Sequence, residues 1–446
     1  MKRTISALIG LVSLPAMAEE FSFLPSTLPD VSAIERYEVH TPKLPQGMPM
    51  AVGSGLRFKG YEKGTSALEF WSLTDRGPNV DTPDVLVRGK ATASKLFVAP
   101  DFTPTIAQIR VSLAEKAAVI QTMPIKQSGK QISGLPVPSG SVGSTGEVGL
   151  DRLLNTLSYD VNGLDPEGID FDAQGNLWIV DEYGPFIAKI DGKTGEVLKK
   201  YGPGVGLPAE LAFRQPNRGF EGVAVTPSGK VVATIQSTLD VEGKTKSDAL
   251  FTRIVVLDPA TDSVKQYAYP VSAFFKKAGD MKIGDIVAIS ETKFALIEQG
   301  KDKDKQMHND IVLVDLSNAT DIQGKTLPNG KLLEFANAAD VQQMGVQFAT
   351  KKTILDLRKL GWKPEKSEGL ALVDGTTLAV INDNDFAVGS QLKGTDKKLD
   401  ELVVSDGKLQ DKSGNVHQGA SLSIEQNDDK TELWLITLRK SLKDWK

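Results

Sequence analysis

A chain of 446 residues, of which 40% are hydrophobic, is long enough to bury a large core. Its 52 lysines and arginines against 57 aspartates and glutamates give a net charge of -5, which offers no basic surface for nucleic acid or an anionic membrane. The lack of cysteine excludes disulfides, thiolate metal ligands and a cysteine nucleophile.

The first 18 residues have the pattern of a secretory signal peptide. Lys2-Arg3 precede a mostly apolar stretch, and Ala16-Met17-Ala18 form a small-residue cleavage site. This segment is too short to span a membrane, and no later segment reaches about 18 uninterrupted apolar residues. We therefore expect a signal peptide at residues 1–18 and a soluble mature protein, periplasmic or secreted, with no membrane partner.

Five segments share one pattern, in which two short apolar runs are joined by a polar turn. In the clearest copy Glu167 precedes the first run, Gly175-Asn176 end the turn, and Asp181-Glu182 follow the second run. This pattern predicts a β-hairpin whose outer ends meet at one rim of a sheet. The copies cover residues 54–75, 165–185, 220–236, 284–299 and 367–383. Such repeats predict an all-β propeller in which each unit is one blade.

The spacing of the copies bears on the number of blades. The interval between the first two copies is about twice the next interval, so a degenerate sixth unit would fit between residues 95 and 155. Leu96–Val98 and Ile106–Val111 resemble strands there. We therefore predict six blades, with five and seven as alternatives, in a single domain spanning residues 19–446.

Three segments outside the repeats complete the predicted fold. The alternating run from Ile34 to Val39 is typical of a strand, and in a propeller an N-terminal strand commonly closes the ring by completing the last blade. Residues 432–438 form a strong strand that we place in the last blade. Residues 338–361 have helical apolar spacing with a stop at Gly361, which predicts a short inserted helix.

The carboxylates that flank the repeated hairpins are the first candidates for chemistry. A propeller places equivalent positions of every blade around one axis, so these acids should converge. One set precedes the first runs (Glu167, Glu221, Asp285, Glu368), and the other follows the second runs (Asp75, Glu182, Asp383, with Asp181 and Glu298 beside them). Carboxylates in one funnel raise one another's pKa unless a cation relieves them, and calcium accepts about 6–8 oxygen ligands. The alternative is that these acids are turn chemistry repeated by duplication.

Two arginines lie beside these acids in the sequence. Arg76 directly follows Asp75, and Arg218 comes three residues before Glu221. A guanidinium group matches a phosphate or a carboxylate in bidentate fashion. The two arginines therefore either bind an anionic substrate or neutralise the neighbouring acids.

Several other chemistries fit the sequence poorly. The chain has only three histidines, and none belongs to an Arg-His-Gly arrangement or to a His-Glu-x-x-His zinc motif. No Gly-x-Ser-x-Gly nucleophile elbow is present. The sequence thus disfavours a phosphohistidine intermediate, a zinc hydrolase and a serine esterase of the α/β-hydrolase type.

Several of these motifs together resemble the phytase-like family, described as "esterase-like activity of phytase", a family of exported bacterial propellers. The motifs are Ser72–Pro78, Asp165–Ile169, Asp181–Pro185, Asn217–Gly222 and Ser367–Leu370. The resemblance implies a β-propeller and phosphoester hydrolysis, with calcium by analogy to propeller phytases. Two units depart from the pattern, since the Asp285 unit lacks the Glu-Gly pair and the Ser54 unit has serine in place of the acid.

The favoured hypothesis is an exported, monomeric propeller that hydrolyses a small-molecule phosphoester at an axial calcium site. The predicted metal ligands are Asp75, Glu167, Glu221, Glu368 and Asp383. Predicted catalytic residues are Arg76 and Arg218, which would balance developing charge, and Glu182. The alternatives are a metal-dependent lactonase or carboxyl-esterase propeller, for which Asn382 is available, and a non-catalytic periplasmic binding propeller.

Overall fold

The computed structural model describes residues 31–112 and 116–444. The predicted signal peptide therefore lies outside the described residues. Within them, no helix has the length and apolar character needed to cross a membrane. The described part of the chain consists mainly of antiparallel β-sheet, as the sequence predicts.

Five four-stranded units have the strand order of propeller blades, with successive hairpins running from the inside outwards, and the first and the fifth unit join through their outer strands into one eight-stranded sheet. Blade 1 contains Leu56–Tyr61, Leu68–Leu73, Thr105–Val111 and Ala117–Pro124. Blade 2 contains Pro166–Phe171, Leu177–Asp181, Phe186–Ile190 and Val197–Pro203, with Gly206–Leu207 added at its edge. Blade 3 contains Phe220–Val225, Val231–Ile235, Phe251–Asp258 and Ser263–Pro270. Blade 4 contains Lys282–Ala288, Lys293–Lys301, Met307–Asp315 and Thr350–Asp356.

Blade 5 is assembled from both ends of the chain. It contains Gly369–Leu372, Thr377–Ile381, Glu432–Leu438 and the N-terminal strand Val31–His40. The N-terminal strand pairs antiparallel with Glu432–Leu438. The predicted closure of the last blade by the N-terminal segment is therefore confirmed. The end of the same strand also pairs in parallel with the outer strand of blade 1, which links the last blade to the first.

The innermost strands approach one another so closely that each carries a glycine where it meets the next blade. A Cβ atom added at any of these glycines would lie 2.7–2.9 Å from an atom of the adjacent blade. The glycines are Gly55, Gly168, Gly222, Gly284 and Gly369 in blades 1 to 5. Side chains cannot approach so closely without displacing their neighbours, so the repeated glycine is a requirement of ring closure.

Each pair of neighbouring blades buries a hydrophobic cluster between them. Five such clusters follow one another around the ring, and they include Ile169 between blades 1 and 2, Phe220 between 2 and 3, Phe294 between 3 and 4, Trp434 between 4 and 5, and Phe70 between 5 and 1. Burying one such side chain contributes about 1.5–3 kcal/mol. Because each cluster needs two blades, the blades stabilise one another around the ring.

The described residues form five blades, one of the two alternatives that the sequence left open, and not the favoured six. Ile106–Val111 belongs to the third strand of blade 1, and Ser94–Phe97 lies in a separate three-stranded sheet. The long interval between the first two copies is occupied by the connections 74–104 and 125–165, which form small sheets instead of a blade. Sequence spacing counts residues and cannot distinguish a degenerate blade from long connections.

These connections pack with part of blade 5 into a layer of small sheets. Residues 44–51, 80–98, 148–154 and 386–409 supply one shared hydrophobic cluster. The short strands are Asn79–Asp81, Asp84–Val87, Lys90–Thr92, Ser94–Phe97, Lys126–Gln127, Lys130–Gln131, Val148–Leu150, Val388–Lys393, Leu402–Ser405, Lys408–Asp411 and Ser421–Gln426. Connections 74–104 and 382–431 both leave the ring just after a second strand, beside Asp75 and Asp383.

Helical structure is confined to short segments in the described chain. The α-helix Ala338–Gln343 is capped by Asn337 and lies within the predicted insertion. The remainder of that prediction is wrong, because Thr350–Asp356 is the outer strand of blade 4 and Ile354 and Leu355 pack in the core between blades. The 3-10 turns are Ala209–Phe213, Val241–Gly243, Ala278–Asp280, Leu333–Phe335, Asp385–Ala387, Leu399–Glu401 and Leu442–Asp444.

Candidate functional site

Three of the predicted metal ligands occupy one repeated position. Glu167, Glu221 and Glu368 each directly precede the ring glycine of an inner strand, and each is at most 7% exposed. Because these glycines contact one another's blades around the ring, the three carboxylates converge at one end of the axis, and the charges of Glu221 and Glu368 add to burial in raising the pKa of Glu167. We call this end of the axis, where the acids that follow the second strands also lie, the acid end.

Six carboxylates at the acid end form two groups of three. The first group is Asp75, Asp383 and Asp385, and the second is Asp165, Glu167 and Glu182. Within each group the nearest carboxylate oxygens all lie within 4.8 Å of one another. Asp385 is exposed and Glu182 is half-buried, whereas the other four are buried. Each group therefore has two buried carboxylates, which we call the floor of the acid end, and one carboxylate that is more exposed to solvent.

Burial and mutual repulsion raise the pKa values of these acids. Burial is the largest cause for Glu167 and Glu221, whose pKa values rise well above 4.5, and the neighbouring carboxylates add to it. The pKa of Glu182 rises to about 8, chiefly by burial and then through Asp165. That of Asp383 rises to about 7, chiefly by burial and then through Asp385. A cation among these groups would favour their ionised forms.

Turn chemistry accounts for part of this arrangement. One oxygen of Asp75 accepts from the Gly77 amide at 2.7 Å, and one oxygen of Asp383 accepts from the Asp385 amide at 2.9 Å. The other oxygen of Asp383 accepts from the Ser54 hydroxyl at 3.3 Å. Turn formation uses one oxygen of each aspartate, so both the structural and the ligand interpretations apply to the same residues.

Asp385 stands on a strained turn. Asp385, Phe386 and Ala387 have φ values of 48°, 57° and 53°, in the left-handed region that costs a non-glycine residue about 1–2 kcal/mol. Phe386 is buried with its ring 5.4 Å from that of Phe102, and the Ala387 carbonyl accepts from the Asn427 amide at 2.8 Å. These contacts hold the turn and fix the backbone of Asp385 beside Asp383.

Arg76 is committed to neighbouring acids. Its side chain lies 3.2 Å from Glu147 and 3.5 Å from Asp165, and its backbone amide donates to Asp165 at 3.0 Å. The guanidinium group also contacts the Tyr183 hydroxyl at 3.5 Å and Asn79 at 3.3 Å. Arg76 is 8% exposed, so it neutralises and positions Asp165 at the floor of the acid end.

Arg218 is placed differently from Arg76. Its guanidinium group donates to the carbonyl of Gly279 and forms no ion pair within the described residues. The side chain is half-buried. An arginine has five N–H donors, so Arg218 has further donors besides the one that this carbonyl uses.

Lys366 is a cation of the acid end that sequence reasoning missed. Its ammonium group lies 2.9 Å from Asp385 and 3.6 Å from Glu368. Its pKa is raised well above 10.5 by Glu368, Asp385, Asp383 and Glu167, which outweigh the opposing effect of burial. Lys366 therefore lies between members of both carboxylate groups.

Gln236 is the blade 3 residue that follows its second strand, where other blades carry acids. Its amide nitrogen donates to Glu182 at 2.9 Å and to Glu221 at 2.7 Å. The side chain is 4% exposed, and its oxygen has no hydrogen-bond partner. A buried amide oxygen beside carboxylates is a further oxygen donor of the kind that a hard divalent cation takes.

Asp285 was aligned incorrectly with the other acids. The ring glycines place Ile283, not Asp285, at the position of Glu167. The Asp285 carboxylate accepts from the backbone amides of Leu370 at 2.9 Å and Leu56 at 3.2 Å, so it lies between the inner strands of three blades. Its pKa rises to about 7 through burial. Asp285 therefore links its own inner strand to those of two other blades by hydrogen bonds near the axis of the ring.

Two further residues have structural partners away from the acid groups. Glu298 lies 2.7 Å from the Lys351 ammonium and accepts from the Tyr269 hydroxyl at 2.6 Å. Asn382 accepts from the Glu432 amide at 2.6 Å and donates to a backbone carbonyl at 3.0 Å. Both amide atoms of Asn382 are thus hydrogen-bonded within blade 5.

Asp181 has a structural role beside Glu182. Its two oxygens accept from the backbone amides of Asp165 at 2.9 Å and Gly184 at 2.8 Å. Its pKa nevertheless rises to about 7, because burial outweighs these hydrogen bonds and the favourable charge of Lys200. Asp181 fixes the loop that carries Asp165, a member of the second carboxylate group.

A family match supports the interpretation of these motifs. The family described as "Phytase-like: Esterase-like activity of phytase" matches residues 54–386. This chain belongs to the phytase-like family. The match covers both carboxylate groups and Lys366, and it supports a propeller with a hydrolase- or esterase-like function.

One curated relative is similar to part of this phytase-like chain. A protein of Arthroderma benhamiae, named "Uncharacterized secreted protein", is 27% identical over 218 residues. The similar region covers 40% of this chain and 41% of the relative. The chain thus spans less than half the length of that relative.

Solved structures give remote similarities over most of the chain. A Dyadobacter fermentans protein of unknown function is 9% identical, with coverage of 92% of this chain and 100% of the other and a TM-score of 0.34. A luciferin-regenerating enzyme is 11% identical, with coverage of 92% and 97% and a TM-score of 0.33. The WD40 domain of Toxoplasma gondii coronin is 10% identical, with coverage of 94% and 90% and a TM-score of 0.31. At these scores the fold assignment depends on the sheet topology of the phytase-like chain itself.

The sequence held signals for some of the missed residues. Asp385 follows Asp383 in an Asp-x-Asp pattern, and Asp165 precedes Glu167 in the same spacing. Lys366 gave no such signal, because a lysine two residues before an acid is common in any chain. Its role depends on the turn at residues 385–387. That turn follows the second strand of the blade 5 hairpin and brings Asp385 next to Lys366, which precedes the first strand.

Proposed function

We propose that this phytase-like protein is an exported hydrolase of small-molecule phosphoesters that uses calcium at the acid end of the propeller. The observation that carries the proposal is the pair of three-carboxylate groups at one end of the axis. Their raised pKa values mark an unrelieved accumulation of negative charge, which a divalent cation would relieve.

The residues present are suited to calcium. The donors are all oxygens, they come from flexible carboxylates, and the buried oxygen of Gln236 without a partner adds a neutral donor. In the proposal Asp75, Asp383 and Asp385 hold one cation, and Asp165 and Glu167 hold the other, with Glu221 and Glu368 beside them. Bound calcium would polarise a phosphoryl oxygen and balance the charge that develops on it.

Glu182 suits the transfer of a proton. It is the half-buried member of its group, and one of its oxygens accepts from Gln236. A carboxyl group whose pKa is raised to about 8 can both hold and release a proton near neutral pH. In this proposal Glu182 exchanges a proton with the attacking water or the leaving oxygen, and Arg76 favours the ionised form of Asp165 against the burial that raises the pKa of that carboxyl group.

Arg218 remains a candidate for contact with the substrate. It has no carboxylate partner among the described residues, and its loop leads directly into the strand that begins beside Glu221. A guanidinium group in this position can donate two parallel hydrogen bonds to a phosphate. Substitution of Arg218 should therefore raise the KM for the phosphoester and lower the free energy of unfolding only slightly.

Export and a monomeric state complete the proposal. The signal-peptide pattern at residues 1–18 and the curated relative named as secreted both support export. N-terminal sequencing of protein from the periplasmic fraction tests the cleavage, which should give Glu19 as the first residue. An intact Met1 in soluble cytoplasmic protein would contradict it.

Hydrolysis of two chromogenic substrates tests the reaction class. We expect release from a phosphomonoester that requires calcium, is lost in a chelator and is reduced in Glu182→Gln. Hydrolysis of a chromogenic carboxyl ester in place of the phosphomonoester would favour the esterase alternative. Turnover of neither substrate, with calcium still stabilising the fold, would favour a binding protein.

A further inference from the structure

We propose that Lys366 binds the anionic group of the substrate, and that in the metal-free protein it occupies the acid end as a tethered cation. This inference rests on the proposed function, since it concerns the same site. It assigns to a lysine the contact that the sequence predicts for Arg76.

The carboxylate partners of Lys366 belong to the proposed cation site. Its ammonium group pairs with Asp385 and Glu368, and both of these carboxylates lie among the candidate cation ligands. A cation bound by these carboxylates would compete for the partners of Lys366. The partners of Arg76 include Glu147, which lies outside the two groups, so Arg76 keeps a partner in either case.

The side chains of Arg76 and Lys366 differ in their freedom to move. The guanidinium group of Arg76 has four side-chain partners, including Tyr183 and Asn79, and is buried. The side chain of Lys366 is 37% exposed, and a lysine ammonium is a point charge on a flexible stem. Lys366 can therefore turn toward an anion at the mouth of the site, whereas Arg76 is fixed in place.

Hydrogen bonds fix the backbone on either side of the Lys366–Asp385 ion pair. The amide of Ser367 donates to the Gln299 side chain at 2.9 Å, and the Ser367 hydroxyl accepts from Asn309 at 2.9 Å. These bonds, which are buried, fix the backbone next to Lys366. On the other side the strained turn fixes Asp385. The backbone at both ends of the ion pair is thus fixed, so a change of partner requires only a movement of the Lys366 side chain.

The consequence for ligands is a pair of opposite effects. Without Lys366 the carboxylates lose an internal competitor, so calcium should bind as tightly as before or more tightly. The same change removes a charged hydrogen bond to the substrate, so phosphate should bind more weakly. A lysine with a merely structural role would not separate the two affinities in this direction.

The test measures both affinities by calorimetry in Lys366→Met, Lys366→Arg and wild type. Calcium is titrated first, and inorganic phosphate is then titrated into the calcium-loaded protein. In Lys366→Met we expect the phosphate dissociation constant to rise about tenfold to a hundredfold, which corresponds to one charge-assisted hydrogen bond. We expect the calcium dissociation constant to stay equal or fall. Lys366→Arg keeps the charge and should recover most of the phosphate affinity.

Lys301→Met is the matched control, because Lys301 also pairs with a carboxylate, that of Glu365 at 3.1 Å, outside both groups. It should change neither affinity. Unchanged phosphate binding in Lys366→Met, while wild type binds calcium and hydrolyses a phosphoester, would overturn this inference alone. Wild type that binds no calcium would overturn both this inference and the proposed function.

Discussion

Replacing Asp383 with asparagine should stabilise the metal-free protein and weaken its response to calcium. Asparagine keeps the geometry, since its oxygen can still accept from the Asp385 amide at 2.9 Å. Its amide nitrogen would take the place of the oxygen that lies 3.3 Å from the Ser54 hydroxyl, and the hydroxyl can accept in return. The substitution thus removes a charge and leaves the hydrogen bonds in place.

The size of the effect follows from the pKa of Asp383. In the folded protein this pKa rises from 3.8 to about 7, because the carboxyl group is buried and faces Asp385. One pKa unit corresponds to about 1.4 kcal/mol, so ionised Asp383 destabilises the metal-free fold by up to about 4 kcal/mol. Since nearby acids can take up part of the proton, we expect Asp383→Asn to raise the free energy of unfolding by about 1–3 kcal/mol at pH 8.

The sign of the pH dependence is fixed by the direction of the shift. Below about pH 4 the carboxyl group is protonated in both states and contributes no difference. Between about pH 4 and 7 the folded state keeps a proton that the unfolded state has lost, so the contribution to the free energy of unfolding falls as the pH rises. Above about pH 7 the loss is complete. The gain from Asp383→Asn should therefore be about a third as large at pH 5 as at pH 8.

Urea titrations in a chelator at pH 5 and pH 8 measure this gain, and melting curves with and without calcium measure the response to the cation. At a hundredfold excess over the dissociation constant, calcium should stabilise wild type by about 2.7 kcal/mol and the variant by less. Asp101→Asn, at an exposed position, is the control and should follow wild type. Asp383→Asn that is less stable than wild type at pH 8 in the chelator would refute the electrostatic argument. Equal calcium shifts in both proteins would remove Asp383 from the site.

Three other predictions test neighbouring parts of the argument. Asp181→Ala should destabilise the fold by about 1–3 kcal/mol in urea titrations at pH 5, because the buried amides of Asp165 and Gly184 lose their acceptor, whereas the raised pKa leaves little charge on Asp181 to be relieved at that pH; a stabilised variant would contradict its structural role. Gly168→Ala should lower the melting temperature more than Gly389→Ala, because its Cβ would lie 2.9 Å from the next blade whereas that of Gly389 meets nothing within 4 Å; the reverse order would contradict the ring contact. Calcium affinity measured by calorimetry should weaken as the pH falls below about 7, since Asp383 then takes up a proton; weakening confined to the region near pH 4 would show that Asp383 is not a ligand.

The sequence was sufficient for the hairpins and for the convergence of most acids. Alternating apolar runs with a glycine turn determine a hairpin locally, and repetition then implies a ring. Glu167, Glu221 and Glu368 each directly precede a ring glycine, so one local rule placed all three. The same rule applied to blade 4 would have selected Ile283, and the misplacement of Asp285 came from matching the acid instead of the glycine.

The number of blades and the cations of the site depend on long-range packing. Residues 95–155 contain strands, but those strands pair with partners such as Asn79–Asp81 and Leu68–Leu73, which no local pattern specifies. Ile354 and Leu355 are spaced as in a helix, yet they fill the core beside Trp434 as part of an outer strand. Tertiary packing overrode the local preference in both segments.

The acid end follows from how the ring closes. Glycines such as Gly168 and Gly222 let the inner strands approach to contact distance, and the residues directly before them, Glu167 and Glu221, are thereby brought together at the end of the axis. Close packing of the strands and crowding of the carboxylates therefore have a single geometric cause. In the metal-free chain Lys366 supplies one positive charge against this crowding, and Arg76 supplies another at the floor. Lys282 adds a third positive charge near Glu182, Glu221 and Glu368, but the pKa values of Glu167 and Glu221 still lie well above 4.5, so in our proposal a divalent ion, and with it an anion, completes the charge balance of the acid end.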